Sequence, residues 1–176
     1  MSNLRIVRAG QHALTLLVDI RENAERELSE DTLLLTTDSY SELREHATES
    51  STHYFLGFED HMPFGYVRIS IEYGECEIVG PYLYPDYNRH ELQILLIEHA
   101  LNFMHNQKVR LAYVLVPMAY TGSAEAYSSS HFEDISDNAE FIKRWHDGVL
   151  AHRPIPNNTR LFARLLDSEP QLTDSQ

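Results

Sequence analysis

One stretch, Leu92–Pro117, constrains the fold more than any other part of the chain. Leu92, Leu95, Leu96, His99, Ala100 and Phe103 recur at three-and-four spacing, and Ile94, Ile97 and Leu101 widen the apolar face. That period belongs to a helix with one side committed to a core. VRLAYVLVP (Val109–Pro117) follows and is almost wholly apolar. A strand of that character is buried on both faces, so it belongs in the centre of a sheet.

Upstream the period changes from helical to two. THYFLGFED (Thr52–Asp60) is aromatic and strand-like. FGYVRISIEYG (Phe64–Gly74) alternates Tyr66, Arg68, Ser70 and Glu72 with Val67, Ile69, Ile71 and Tyr73, the pattern of a half-buried strand. ECEIVGPYLYP (Glu75–Pro85) is a further strand, and Gly80-Pro81 within it predicts a bulge or an edge. Short turns between these three predict an antiparallel meander. LRIVRA (Leu4–Ala9) reads as a first strand and TRLFARLL (Thr159–Leu166) as a last one. Helices are expected over His12–Ser29, with an acidic outer face, and over Asp38–Ser50. A loop with a short helix is expected over Tyr120–Phe132. A further helix is expected over Ser136–Arg153, where Asp137 and Glu140 have capping-box spacing.

The 176 residues suit one domain, 1–166, followed by a polar tail, 167–176. A net charge of −13 opposes nucleic acid or an anionic membrane as the main partner and favours a cationic one. No apolar run reaches the ~20 residues of a membrane helix, and no signal-peptide pattern opens the chain. Cys76 is the only cysteine, which fits a reducing cytoplasm. The ten histidines lack metal-site spacing, so no metal is expected. YSSSHF lacks the glycines of a nucleophile elbow.

The turn between the third meander strand and the long helix, LYPDYNRHELQ (Leu83–Gln93), supports two readings. Asn88 and Glu91 have the N-x-x-E spacing of a capping box, which is structural. A helix start also offers unpaired N–H donors and about half a positive charge, the means of holding a phosphate.

The element order and two motifs resemble the GNAT acyltransferase superfamily. Its usual pattern is V-x-P-x-x-[RQ]-x-x-G-x-[GA], then a helix, a buried strand and a segment ending Y-x-x-x-G-F. Leu83, Pro85 and Asn88 stand at the first positions, with Glu91 and Gln93 where the glycines belong. YSSSHF places Tyr127, His131 and Phe132 at the tyrosine, glycine and phenylalanine, and Tyr120 falls near a position often held by asparagine. The resemblance implies an α/β (α+β) fold with a mixed, mostly antiparallel sheet flanked by helices and splayed after the fourth strand. It implies acetyl-CoA as co-substrate, bound by Leu83, Tyr84, Asn88, Arg89, His90, Glu91, Leu92 and Gln93. It makes Tyr127 the acid for the departing thiolate and the Leu83–Tyr84 backbone the donor to the thioester oxygen.

For the base, Glu72, Glu75 and Glu77 lie on the strands leading to the splay, and Glu77 is the preferred candidate. His131 is a further candidate. The expected partner is an amine-bearing small molecule or protein, and a homodimer is compatible with the sequence. Two alternatives to an N-acyltransferase stay open. One is a non-catalytic GNAT-like binding or partner module. The other is an unrelated α+β domain that dimerises through its sheet.

Overall fold

The computed structural model describes residues 3–26, 40–144 and 155–166. Strand β1 (Leu4–Ala9) leads through a short 3-10 turn into α1 (Leu14–Glu25). Helix α2 (Tyr40–His46) precedes the meander β2 (Thr52–Glu59), β3 (Met62–Glu72) and β4 (Glu75–Leu83). Then come α3 (His90–Asn106), β5 (Leu111–Pro117), α4 (Thr121–Ser129), the two-residue β6 (Glu133–Asp134), α5 (Ala139–Arg144) and β7 (Thr159–Leu165). The remainder of the expected Asp38–Ser50 and Ser136–Arg153 helices, and the 167–176 tail, lie in part or wholly outside the described residues.

Among the described residues seven strands form one sheet in the order β1-β2-β3-β4-β5-β7-β6. Every pairing is antiparallel except β4 with β5, which is parallel. This is the mixed, mostly antiparallel sheet that was expected. The parallel pair follows from α3, a crossover of the length that parallel neighbours need. Pairing of β4 with β5 runs only from Glu75–Leu111 to Ile78–Val114. Beyond that point β4 stays with β3 as far as Leu83–Gly65, and β5 stays with β7 as far as Pro117–Thr159. The sheet therefore opens into a V after the fourth strand.

Both faces of the sheet are covered. The predicted stripe of α3 buries Leu92, Leu96, Ala100 and also Ile97, Leu101 and Met104 against Phe55, Val67, Ile69 and Ile78. On the opposite face Leu14, Leu17 and Ile20 of α1 and Leu43 of α2 meet Tyr54, Leu56, Tyr66 and Tyr82. This corrects the half-buried reading of β3: its polar-side residues Tyr66 and Arg68 are 1% and 8% exposed, because a helix layer covers that face as well. Alternation in sequence marked two different interiors rather than inside and outside.

Two caps also differ from expectation. The N-cap of α3 is Arg89, and no side chain caps that helix end. Asn88 instead accepts a hydrogen bond from Gln93 Nε2 at 2.7 Å, so the Asn88–Glu91 capping box does not form. At α5 the Phe141 amide donates to Asn138 Oδ1 at 2.9 Å. Asn138, not Asp137, is the cap, because the helix begins one residue later than the spacing suggested.

Candidate active site

The bulge in β4 shapes the V. Tyr66 faces Tyr82 and Arg68 faces Val79, so Gly80 and Pro81 together oppose Val67. Gly80 has φ +99°, a conformation glycine adopts without strain. The Tyr84 amide donates back to the Phe64 carbonyl at 3.0 Å. It is thus spent on β3 and is not the oxyanion donor expected of the Leu83–Tyr84 backbone. Amides alternate in direction along a strand, so that of Leu83 points towards the gap.

A cleft of about 610 Å³ lies between the start of α3, the end of β5, α4 and β7. His90 at the start of α3, Val116 and Pro117 at the end of β5, Tyr120, and Thr121 and Ser128 of α4 line it, with Arg160 of β7. At the helix start the Leu92 and Gln93 amides both return to the Arg89 carbonyl, at 3.1 and 3.2 Å. The donors left there are the amides of His90 and Glu91. The side chains of Asn88, Arg89, His90 and Glu91 are exposed, while Leu92 and Gln93 are buried. Leu92 belongs to the core, not to a ligand surface. One guanidinium nitrogen of Arg89 is shared between both oxygens of Glu59, at 3.0 and 3.1 Å. Ser129 Oγ lies 3.3 Å from His90 Nε2.

Gln93 fills the place of a motif glycine. Its Nε2 is bonded to Asn88, a Cβ added at Gly122 would lie 3.6 Å from that nitrogen, and its Oε1 is buried without a partner. The side chain thus occupies the seam between α3 and α4, where glycines would leave room for a phosphate's close approach.

Tyr127 is fully buried on α4, and its hydroxyl donates to the Gly80 carbonyl at 2.8 Å. Burial raises its pKa well above the ordinary tyrosine value. The YSSSHF motif has a local explanation. His131 has φ +62°, its amide donates to the Ser128 carbonyl at 3.1 Å, and the Phe132 amide donates to the Tyr127 carbonyl at 3.0 Å. That is a Schellman cap, with the Phe132 ring packed edge-on against Tyr127, centroids 5.1 Å apart. The motif glycine is the left-handed C′ residue, and here His131, exposed, fills it.

Glu77 is half-buried on β4, in register between Ser70 and Tyr113, one residue before the last β4–β5 pair. Its neighbours Cys76 and Ile78 enter the core under α3, so Glu77 faces the α1 side. Glu75 is buried and Glu72 exposed. Cys76 is fully buried, and burial pushes its thiol well above the usual range.

Sequence reading missed two buried charges and read Tyr120 only as standing near an asparagine position. Arg21 and Glu25 of α1 are 9% and 6% exposed, and Tyr120 lines the cleft with its hydroxyl buried. The signal was present. Leu14, Leu17, Arg21 and Glu25 repeat at three-and-four spacing, so two charges lie on the apolar stripe rather than on an acidic outer face.

No family model and no curated protein matches the sequence. Solved structures match its fold over almost the whole chain. The PaiA N-acetyltransferase of Thermoplasma acidophilum, in complex with coenzyme A, superimposes with TM-score 0.71 at 13% identity, covering 93% of this chain and 99% of that one. A GNAT-family acetyltransferase from Staphylococcus aureus gives 0.71 at 12% identity, covering 94% and 100%. An Escherichia coli N-acetyltransferase of a ribosomal-protein alanine gives 0.70 at 12%, covering 97% and 98%.

Proposed function

We propose that this chain, which has the fold of the GNAT acetyltransferases, is an acyl-CoA-dependent N-acetyltransferase that passes an acetyl group directly to an amine. The observation that carries the reading is the V that opens between β4 and β5 after Ile78 and Val114. Strand edges left unpaired in the V offer the amide and carbonyl groups that an extended pantetheine chain would pair with. The His90 and Glu91 amides would receive the pyrophosphate. The Leu83 amide, directed into the gap, would polarise the thioester oxygen.

In this reading the amine nitrogen attacks the thioester carbonyl carbon, the C–S bond breaks, and the amine loses a proton while the thiolate gains one. Glu77 takes the amine proton through water from the α1 face. Tyr127 supplies the thiolate proton. It is protonated at neutral pH, and its hydroxyl must exchange the Gly80 carbonyl for the sulfur in each turnover. No nucleophilic side chain is required, which fits Cys76 lying sealed in the core.

A specific feature supports a second reading, a binding module without catalysis. Gln93 plugs the glycine position and Arg89 is tied to Glu59. Titration calorimetry with acetyl-CoA separates the two. The enzyme reading expects saturable binding, and Glu91→Gly should tighten it by removing a negative charge near the phosphates. Absence of binding in both parent and variant would leave only the module.

A further inference from the structure

The two ends of an acyl-CoA would meet different surroundings in this fold. The pantetheine arm is neutral and needs amide and carbonyl partners, which the strand edges of the V leave open. The nucleotide end is polyanionic, and a phosphate monoester such as its ribose phosphate carries about −1.5 to −2 at neutral pH. At the start of α3 that charge finds the amides of His90 and Glu91 and little else. The helix end offers about half a positive charge, and the Glu91 carboxylate stands in its first turn. A full negative charge there offsets the dipole that a phosphate would use. Gln93 fills the seam against Gly122, with its Nε2 bonded to Asn88 at 2.7 Å and its Oε1 buried without a partner. That oxygen can only accept a hydrogen bond, so it has nothing to offer a phosphate oxygen.

Cations are scarce in the same region. The elements β4, α3, β5 and α4 contain neither lysine nor arginine. The arginines of the turn before α3 and of β7 are already engaged. Arg89 is shared between the oxygens of Glu59, Arg160 Nε lies 4.0 Å from Asp134, and Arg164 donates to the Ser130 carbonyl at 2.8 Å. Asp134 and Glu125 line the cleft together with Arg160, so two carboxylates stand there against one guanidinium. The net charge of −13 adds repulsion of polyanions at longer range. We propose that the chain recognises its acyl donor by the pantetheine arm and gains little from the nucleotide end, so that acyl thioesters of pantetheine and phosphopantetheine serve as donors alongside acyl-CoA, with Glu91 and Gln93 as the residues that set this tolerance. The proposal rests on the transferase reading and defines its donor class.

The test is titration calorimetry on the full chain with the S-acetyl thioesters of CoA, dephospho-CoA, phosphopantetheine and pantetheine. Their affinities should lie within about tenfold of one another, the smallest step that one charge-assisted hydrogen bond to a phosphate gives. Glu91→Gln removes the charge and keeps the helix, and it should raise the preference for acetyl-CoA over acetyl-pantetheine. Gln93→Gly opens the seam and should raise the same ratio, and Gln93→Ala serves if the glycine variant does not fold. In the parent chain, an acetyl-CoA affinity more than about tenfold above that of acetyl-pantetheine overturns the proposal and leaves the transferase reading standing. Binding of none of the thioesters overturns both. A ratio that no variant changes overturns the assignment to Glu91 and Gln93.

Discussion

At the scale of single residues, Tyr127 joins chemistry to architecture. Its ring packs in the core with Phe132, and its hydroxyl holds the carbonyl at the bulge where the strands part. Tyr127→Phe removes the oxygen and keeps the ring. If the residue is the proton donor, kcat should fall by about 10²–10⁴ with KM for acetyl-CoA little changed. Loss of the bond to Gly80 should lower stability by about 1 kcal/mol, read by urea unfolding. Stability lowered with turnover intact would confine Tyr127 to shaping the bulge. Glu77→Gln tests the base. An essential carboxylate predicts a large loss of turnover that higher pH partly restores, whereas an inert one leaves the pH–rate profile where it was.

At the scale of elements, the end of α4 shows why a motif can keep its form while a residue changes. The Schellman geometry asks the C′ residue for a left-handed backbone, and His131 adopts it with φ +62°. Glycine reaches that conformation without a Cβ penalty. His131→Gly should therefore raise stability by about 0.5–1 kcal/mol, measured as a shift in the denaturation midpoint, with turnover unaffected. A drop in turnover with unchanged stability would restore His131 to the list of bases. The start of α3 presents the opposite case. Gln93 ties Asn88 to the helix and fills the seam against Gly122, so that seam is filled where a glycine-bearing turn would be open.

For the whole molecule, the titrating groups in the interior define a stability plateau. His53 has its pKa lowered by burial and then by Arg8, whose guanidinium nitrogen is 2.6 Å from Nδ1, and His99 by burial alone. Both therefore take up a proton less readily in the folded state than in the unfolded chain. The unfolded chain takes up protons at the ordinary value of about 6.5, so stability is full above that pH and falls as pH drops through it. At the alkaline end, burial and then Asp19, 2.5 Å away, push Tyr84 up to about 12. The unfolded tyrosine ionises near 10, so stability should decline again above that pH. Urea midpoints measured from pH 5 to pH 11 should trace the plateau, and His53→Phe should blunt the acid limb. An acid limb unchanged in that variant would assign it to the carboxylates.

Period and composition were enough to place the long helix, the buried strand after it and the meander, because each depends on which face of a short segment is apolar, while Gly80-Pro81 left a bulge and an edge open until the β3–β4 register decided for the bulge. A heptad of α3 or an alternating run of β3 carries that information within a dozen residues. The parallel β4–β5 pairing and its end at Ile78–Val114 depend instead on where two strands some thirty residues apart come to lie. The same holds for the ties that decide the site. Glu59 occupies Arg89 and Gly80 engages Tyr127, each from a segment far away in the sequence. Such contacts leave no periodic trace in the chain. Packing of side chains against distant neighbours decided which of the polar residues named from the sequence face the gap, which are spent on each other, and which charges on α1 stand inside.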